Sequence, residues 1–95
     1  MQITICDNYQ AMAQAAGKII IEEIKKKPVS LLTFAAGNTP IGILNFLVKC
    51  CLNERNCFED AFFISLDEWV GMDGTDLGSC RNTLNRFFFH PLGID

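Results

Sequence analysis

The sequence predicts an α/β fold, a parallel sheet with flanking helices. Apolar segments of strand length alternate with segments of helical period along the chain, and two of the apolar segments are almost continuous, as in strands buried on both faces. We therefore expect the order β-α-β-α-β-loop-α, with right-handed crossovers in a Rossmann-like arrangement. At 95 residues the chain is at most one domain.

The first strand and the first helix are predicted over residues 2–28. Residues 2–6 are short and β-branched, which indicates a strand. Asp7 is placed to cap a helix, with Gln10 in the capping-box position. Apolar residues then keep a helical period: Met12, Ala16, Ile19, Ile20 and Ile24. The lysines at 25–27 suit the C-terminal end of the helix dipole and indicate a solvated helix end, which Pro28 terminates.

The second strand is predicted over residues 29–35, and a helix start follows it. Thr39 before Pro40 indicates that start, because a hydroxyl N-cap and a proline in the first turn both suit helix N-termini. The buried side of this helix is predicted from its period to hold Ile41, Leu44, Val48 and Cys51. A polar connection is predicted over residues 54–60, after this helix.

The third strand is predicted over residues 61–66 and ends at Asp67. After a loop with three glycines, Ser79 is placed to cap the last helix, which we expect to run to about His90, where Pro91 ends it. His90 is expected to be a capping or surface residue.

The composition narrows the classes of partner. A net charge of −3 disfavours nucleic acid, whose phosphates attract dense basic faces. No apolar run approaches the roughly 18 residues that span a bilayer, and the N-terminus lacks the basic segment of a signal peptide. Five cysteines without a C-x-x-C pair favour neither zinc nor a disulfide framework. We expect reduced thiols and a cytoplasmic protein that binds neither membrane nor metal.

Two loops are expected at one edge of the sheet, since ligands of open parallel sheets bind beyond the carboxyl ends of the strands. The first, AAGNTP at 35–40, leads into a helix N-terminus, which suits a phosphate, although an ordinary capped turn explains the pattern as well. The second, LDEWVG at 66–71, presents Asp67, either as a general base or as a turn cap. Glu68 is expected to face elsewhere and Trp69 to lie in the core. Together the loops indicate a small anionic ligand.

The segments AAGNTPIGIL, SLDEWVG and GSCRNTLNRFFFHPLGI resemble, in order and spacing, the first part of the glucosamine-6-phosphate deaminase family. That family includes the galactosamine-6-phosphate isomerases and is related to 6-phosphogluconolactonases. The resemblance implies that Ala36, Gly37, Asn38 and Thr39 bind the substrate's phosphate. It also implies that Asp67 is the catalytic base that moves a proton between C2 and C1, before ammonia leaves. No metal or organic cofactor is implied, and a homo-oligomer is left open.

This chain also departs from the family in several respects, and these departures leave alternative functions open. Family members are longer, so we expect residues 1–95 to be the N-terminal portion of a larger domain, with an incomplete site. Many members have threonine or serine where this chain has Ala36. Arg81 and Arg86 are expected on the surface of the last helix. A 6-phosphogluconolactonase-type hydrolase is the alternative enzyme, although lactonases tend to have arginine where this chain has Trp69. A non-catalytic sugar-phosphate-binding module and an inert interaction piece are the other readings.

Overall fold

The computed structural model describes residues 1–53 and 57–94, so part of the connection predicted over 54–60 lies outside the described residues. The helices are α1 (Tyr9–Lys26), α2 (Ile41–Asn53), α3 (Cys80–Leu84) and α4 (His90–Leu92), with a π-helical turn, Asn85–Phe89, between α3 and α4. Two strands, β1 (Leu31–Leu32) and β2 (Phe62–Phe63), pair in parallel, with Leu31 opposite Phe62 and Leu32 opposite Phe63. The predicted α/β class is confirmed.

The strand predicted over residues 2–6 is wrong. These residues are irregular, and Ile3 and Ile5 are exposed. A strand forms only where a neighbouring strand accepts and donates its backbone hydrogen bonds. Within residues 1–53 and 57–94, the paired strands are β1 and β2 alone. The β-branched composition of the segment could not supply the missing neighbour.

Helix α1 is capped one residue later than predicted. The side chain of Asn8, not Asp7, accepts the backbone N–H of Ala11 at 2.8 Å, so Gln10 is not in a capping-box position. Lys26 lies 3.9 Å from Glu23 in an exposed ion pair, which agrees with a solvated helix end.

The buried face of α1 also differs from the prediction. The buried residues are Ala13, Gly17 and Ile24; of the predicted ones, Ile24 is buried and Ile20 packs against the core, whereas Ile19 is exposed. Small residues let α1 approach α2 closely, since a Cβ on Gly17 would lie 2.7 Å from Cε1 of Phe46. A stripe of alanine and glycine carries little hydrophobic signal, so the periodicity of the larger apolar residues pointed to a neighbouring face.

The sheet is covered on one face only in the described part of the chain, which corrects the expectation of strands buried on both faces. Leu32, Phe34 and Phe63 pack on the core, whereas Leu31 and Phe62 are exposed. Successive side chains of a strand point to opposite faces, so the residues alternate between the two. The helices that contribute to the described core all pack on the face of the sheet that carries Leu32, Phe34 and Phe63.

Aromatic rings fill the core between the sheet and the helices. Phe88 is fully buried, and its ring lies 5.1–5.7 Å from four other rings, those of Phe34, Phe58, Phe63 and Phe89. Helix α2 adds Leu44, Leu47 and Cys51, of which Leu44 and Cys51 were predicted. Phe58 belongs to the connection that was predicted to be polar, yet its side chain is buried in the core.

The last helix begins as predicted but ends later. The hydroxyl of Ser79 accepts the N–H of Asn82 at 2.9 Å. The helix does not end at Pro91, the second residue of α4, which directly follows the π-helical turn. Gly93 ends it instead, with φ +71°, and Ile94 N–H bonds to the carbonyl of Phe89 at 2.8 Å, as in a Schellman motif.

Candidate functional site

A cleft of about 470 Å³ opens beyond the carboxyl ends of β1 and β2. Three segments line it: residues 35–38 after β1, residues 66–69 in the loop after β2, and the beginning of the last helix around Cys80. Because β1 and β2 are parallel, the two loops leave the sheet at the same edge. The loops that the sequence singled out therefore share one cleft.

The loop before α2 brings three of its four predicted phosphate-binding residues to the cleft. Ala36, Gly37 and Asn38 line it, whereas Thr39 does not. Gly37 has φ +114°, a conformation that glycine adopts without steric cost, and a Cβ there would meet open space. The strain of a positive φ, not crowding, therefore favours glycine at this position.

The N-terminus of α2 offers fewer free donors than the sequence indicated. The N–H of Ile41 donates to the carbonyl of Asn38 at 3.4 Å, and the N–H of Gly42 donates to the hydroxyl of Tyr9 at 2.8 Å. In contrast, the N–H groups of residues 37–39 donate to no acceptor within the part of the chain that the structure describes. The loop itself, more than the helix end, can offer N–H groups to an anion.

Asp67 is exposed and lines the same cleft. Its Oδ1 accepts a hydrogen bond from the thiol of Cys80, with 3.8 Å between the oxygen and Sγ. The pKa of Cys80 is raised by desolvation and by the negative charges of Glu68 and Asp67, so this thiol stays protonated and able to donate. Asp67 is thus an accessible carboxylate with one side-chain donor beside it.

Glu68 lies outside the cleft lining, as expected for the neighbour of Asp67. Its Oε1 accepts the backbone N–H groups of Cys80 at 2.7 Å and Trp69 at 2.9 Å, and its Oε2 accepts that of Arg81 at 3.0 Å. These bonds, that of Arg81 first, lower the pKa of Glu68. Glu68 therefore caps α3 from twelve residues away, a role that local sequence patterns do not reveal.

The prediction that Trp69 lies in the core is wrong. Its side chain is 65% exposed and lines the cleft. The strand ends at Phe63, so Trp69 falls in the loop beyond the sheet edge, where the described part of the chain offers no second layer to bury it. Its ring instead forms an apolar wall near Asp67.

The remaining polar candidates lie apart from the cleft. His90, Arg81 and Arg86 are exposed and do not line it, and the guanidinium of Arg86 lies 5.3 Å from the ring centre of Phe87. Among the described residues, no group of three or more His, Cys, Asp or Glu side chains is arranged to hold a metal ion. The helices described there are also too short or too polar to cross a membrane.

Comparison with known proteins finds relatives that are named as deaminases. The chain is 34% identical over 89 residues to a glucosamine-6-phosphate deaminase of Bacillus velezensis, covering 94% of this chain and 37% of that protein. It is 33% identical over 95 residues to one of Clostridium perfringens, covering 100% and 39%. A putative deaminase of Escherichia coli, AgaI, is 30% identical over 88 residues, covering 93% and 35%. No family model matches the chain.

The fold has a solved counterpart. A monomeric glucosamine-6-phosphate deaminase, described as a missing link of the NagB superfamily, superimposes with a TM-score of 0.92 at 29% identity. The match covers 100% of this chain and 39% of that structure. The chain therefore spans about two fifths of the length of the relatives that it matches.

Proposed function

Because this chain is related in sequence and fold to the glucosamine-6-phosphate deaminase family, we propose that it serves the same chemistry. The reaction is the deamination and isomerisation of a hexosamine 6-phosphate, the glucosamine or galactosamine epimer, to a ketohexose 6-phosphate and ammonia. The chain spans 37–39% of the first relatives, so the proposal treats residues 1–95 as the N-terminal portion of a deaminase/isomerase-like domain.

One observation carries the proposal. The loop at 36–38 and the carboxylate of Asp67 line the same cleft, although 29 residues separate Asn38 from Asp67 in the sequence. A sugar phosphate has its anion at C6 and its reacting carbons, C1 and C2, at the other end. Such a substrate needs an anion site and a base within one cleft, and the shared lining supports both roles.

In the proposed reaction, Asp67 removes the proton from C2 of the open aldose, and the electron pair forms an enediol-like intermediate with C1. Return of the proton to C1 leaves a C=N bond at C2. Water adds there, and ammonia leaves with the original nitrogen. The thiol of Cys80, which donates to Oδ1, holds the carboxylate in place. The backbone N–H groups of Gly37 and Asn38, which donate to no acceptor among the described residues, bind the phosphate, and Ala36 contributes backbone only, whereas Thr39 lies outside the cleft lining.

Cofactor, partner and location belong to the same proposal. Proton transfer and loss of ammonia require no metal or organic cofactor, and the sugar phosphate is the proposed small-molecule partner. The sequence has an odd number of cysteines, five, and no C-x-x-C pair, which supports reduced thiols and a cytoplasmic compartment. A homo-oligomer stays a prediction, since the solved relative is described as monomeric.

The test compares Asp67→Asn with Asp60→Asn, an exposed acid outside the cleft. Exchange of the C2 hydrogen for deuterium and release of ammonia are followed by NMR on both hexosamine 6-phosphates, with the full-length protein. We expect Asp67→Asn to slow exchange by about 100-fold or more while inorganic phosphate still binds, and Asp60→Asn to behave as wild type.

Three outcomes contradict the proposal. Normal exchange in Asp67→Asn removes the role of Asp67. Wild-type release of acid from 6-phosphogluconolactone, without ammonia from either hexosamine, indicates a lactonase. Binding of sugar phosphate without turnover, unaffected by Asp67→Asn, indicates a non-catalytic binding module.

A further inference from the structure

Tyr9, the first residue of α1, contacts the loop before α2 through its hydroxyl group. That group lies 3.0 Å from the carbonyl oxygen of Asn38 and 2.9 Å from that of Thr39, and it accepts the N–H of Gly42 at 2.8 Å. A phenol has a single hydrogen to donate, so the two carbonyls share it. One side chain thus bonds to both ends of the segment between Asn38 and Gly42.

We propose that Tyr9 is a positioning residue for the phosphate loop. The inference rests on the proposed function, because it assigns to Tyr9 the conformation of the loop that binds the substrate's phosphate. Tyr9 does not line the cleft, so it acts through the loop and not on the ligand.

Peptide geometry gives this contact its electrostatic effect. In a trans peptide, the C=O of one residue and the N–H of the next point in opposite directions. The carbonyl of Asn38 points at Tyr9, so the N–H of Thr39 points away from it. Two carbonyl oxygens that would repel an anion face a hydroxyl group instead. Tyr9 therefore occupies two acceptors of the loop that would repel a phosphate, and the residue after Thr39, Pro40, has no N–H to present.

Among the described residues, the hydrogen bonds to residues 37–39 are those from Tyr9 and from the N–H of Ile41. Gly37, Asn38 and Thr39 are exposed, and glycine at 37 has more conformational freedom than a residue with a Cβ. A phosphate that ordered such a loop on binding would lose affinity to the conformational entropy of its residues. The hydroxyl of Tyr9 fixes the loop before the ligand arrives.

Tyr9 also packs closely against Gly42, which supports a specific role for this contact. A Cβ on Gly42 would lie 2.7 Å from Cε2 and 2.9 Å from the hydroxyl oxygen of Tyr9. The ring can reach the loop only because residue 42 has no side chain. Gly42 therefore provides a second way to break the contact, with the phenol still present.

The test uses Tyr9→Phe, which removes only the hydroxyl, Gly42→Ala, which displaces the ring, and Gln14→Ala as a control. Gln14 is exposed on the same helix and its side chain makes no hydrogen bond in the described part of the chain. In the full-length protein, we measure KM and kcat for the hexosamine 6-phosphate, the Kd of inorganic phosphate, and hydrogen exchange at Gly42 and residues 37–39.

We expect Tyr9→Phe and Gly42→Ala to raise KM and the Kd of phosphate by about three- to tenfold, the range of one or two neutral hydrogen bonds. We expect kcat to change less than twofold, faster exchange in the loop, and no effect of Gln14→Ala. Unchanged KM and Kd in Tyr9→Phe overturn the role of Tyr9 while wild-type turnover stands. A wild type that neither binds phosphate nor releases ammonia overturns the proposed function itself, and the phosphate role of Tyr9 with it.

Discussion

The carboxylate of Glu68 accepts the backbone N–H of Cys80 at 2.7 Å and so closes the loop between β2 and α3. The bond joins two of the three segments that line the cleft, because Asp67 precedes Glu68 and the thiol of Cys80 donates to Asp67. The two neighbouring acids thus have different roles. Asp67 faces the cleft, and Glu68 binds the N-terminus of the helix that lines it.

Replacement of Glu68 by glutamine is expected to lower thermal stability at neutral pH by a few degrees. Glutamine retains one acceptor oxygen but loses the charge that three backbone N–H groups favour. The pKa of Glu68 is lowered on folding from an ordinary 4.5, so its contribution is fully present above pH 4.5 and is lost as the pH falls through the lowered pKa.

The measurement is the melting temperature of wild type and Glu68→Gln from pH 7 to pH 3. The two curves are expected to converge on the acidic side of pH 4.5. Glu59→Gln, at another exposed glutamate, provides the matched control. A difference that stays constant across the whole range would show that the Glu68 carboxylate charge adds nothing to stability.

Cys80 is expected to react slowly with iodoacetamide, because the thiolate is the reactive form and the Cys80 pKa is raised. Desolvation is the main cause, and the charges of Glu68 and Asp67 add to it. Asp67→Asn removes one of these charges and is expected to speed labelling of Cys80 severalfold near pH 8.

The rate is read by mass spectrometry on the Cys80 peptide as a function of pH, with Cys6, outside the cleft, as the internal reference. In Asp67→Asn the labelling profile of Cys80 should move to lower pH while that of Cys6 stays in place. Coincident Cys80 profiles in the two proteins would mean that the thiol does not sense Asp67.

Phe88→Ala is expected to destabilise the fold by about 3–5 kcal/mol, since it removes a fully buried ring from the centre of the aromatic core. Phe62→Ala is the control, because Phe62 lies on the exposed face of the sheet, where truncation costs about 0.5 kcal/mol or less. Urea denaturation of both variants gives the comparison. Equal losses would contradict the one-sided core.

Prediction from sequence succeeded where local chemistry decides the outcome. The hydroxyl cap at Ser79 and the parallel pairing of two apolar strands were both expected, and both are confirmed. It failed where the outcome depends on a strand or helix that is distant in the sequence. Residues 2–6 have no neighbouring strand in the described part of the chain, and the small residues Ala13 and Gly17 join the predicted Ile24 on the buried face of α1.

For the candidate site, the sequence identified the two loops but not the bonds that hold them. Ala36, Gly37, Asn38 and Asp67 do meet in one cleft, because parallel strands place their following loops at one edge. Tyr9 and Glu68 were not identified in their observed roles. Their partners lie 29–33 and 1–13 residues away and are backbone groups, which leave no mark in the sequence.

The sequence by itself determined the alternation of strand and helix from β1 onward, the glycine at 37, the acid at 67 and the similarity to deaminases, because residue type and spacing suffice for these. Only the tertiary structure decided that Ala13 and Gly17 are buried on α1, that Trp69 is exposed beside the cleft, and which N–H groups of the loop have no acceptor among the described residues. The physical reason is that burial and hydrogen bonding depend on which groups meet in space. Residues near each other in space need not be near in the chain.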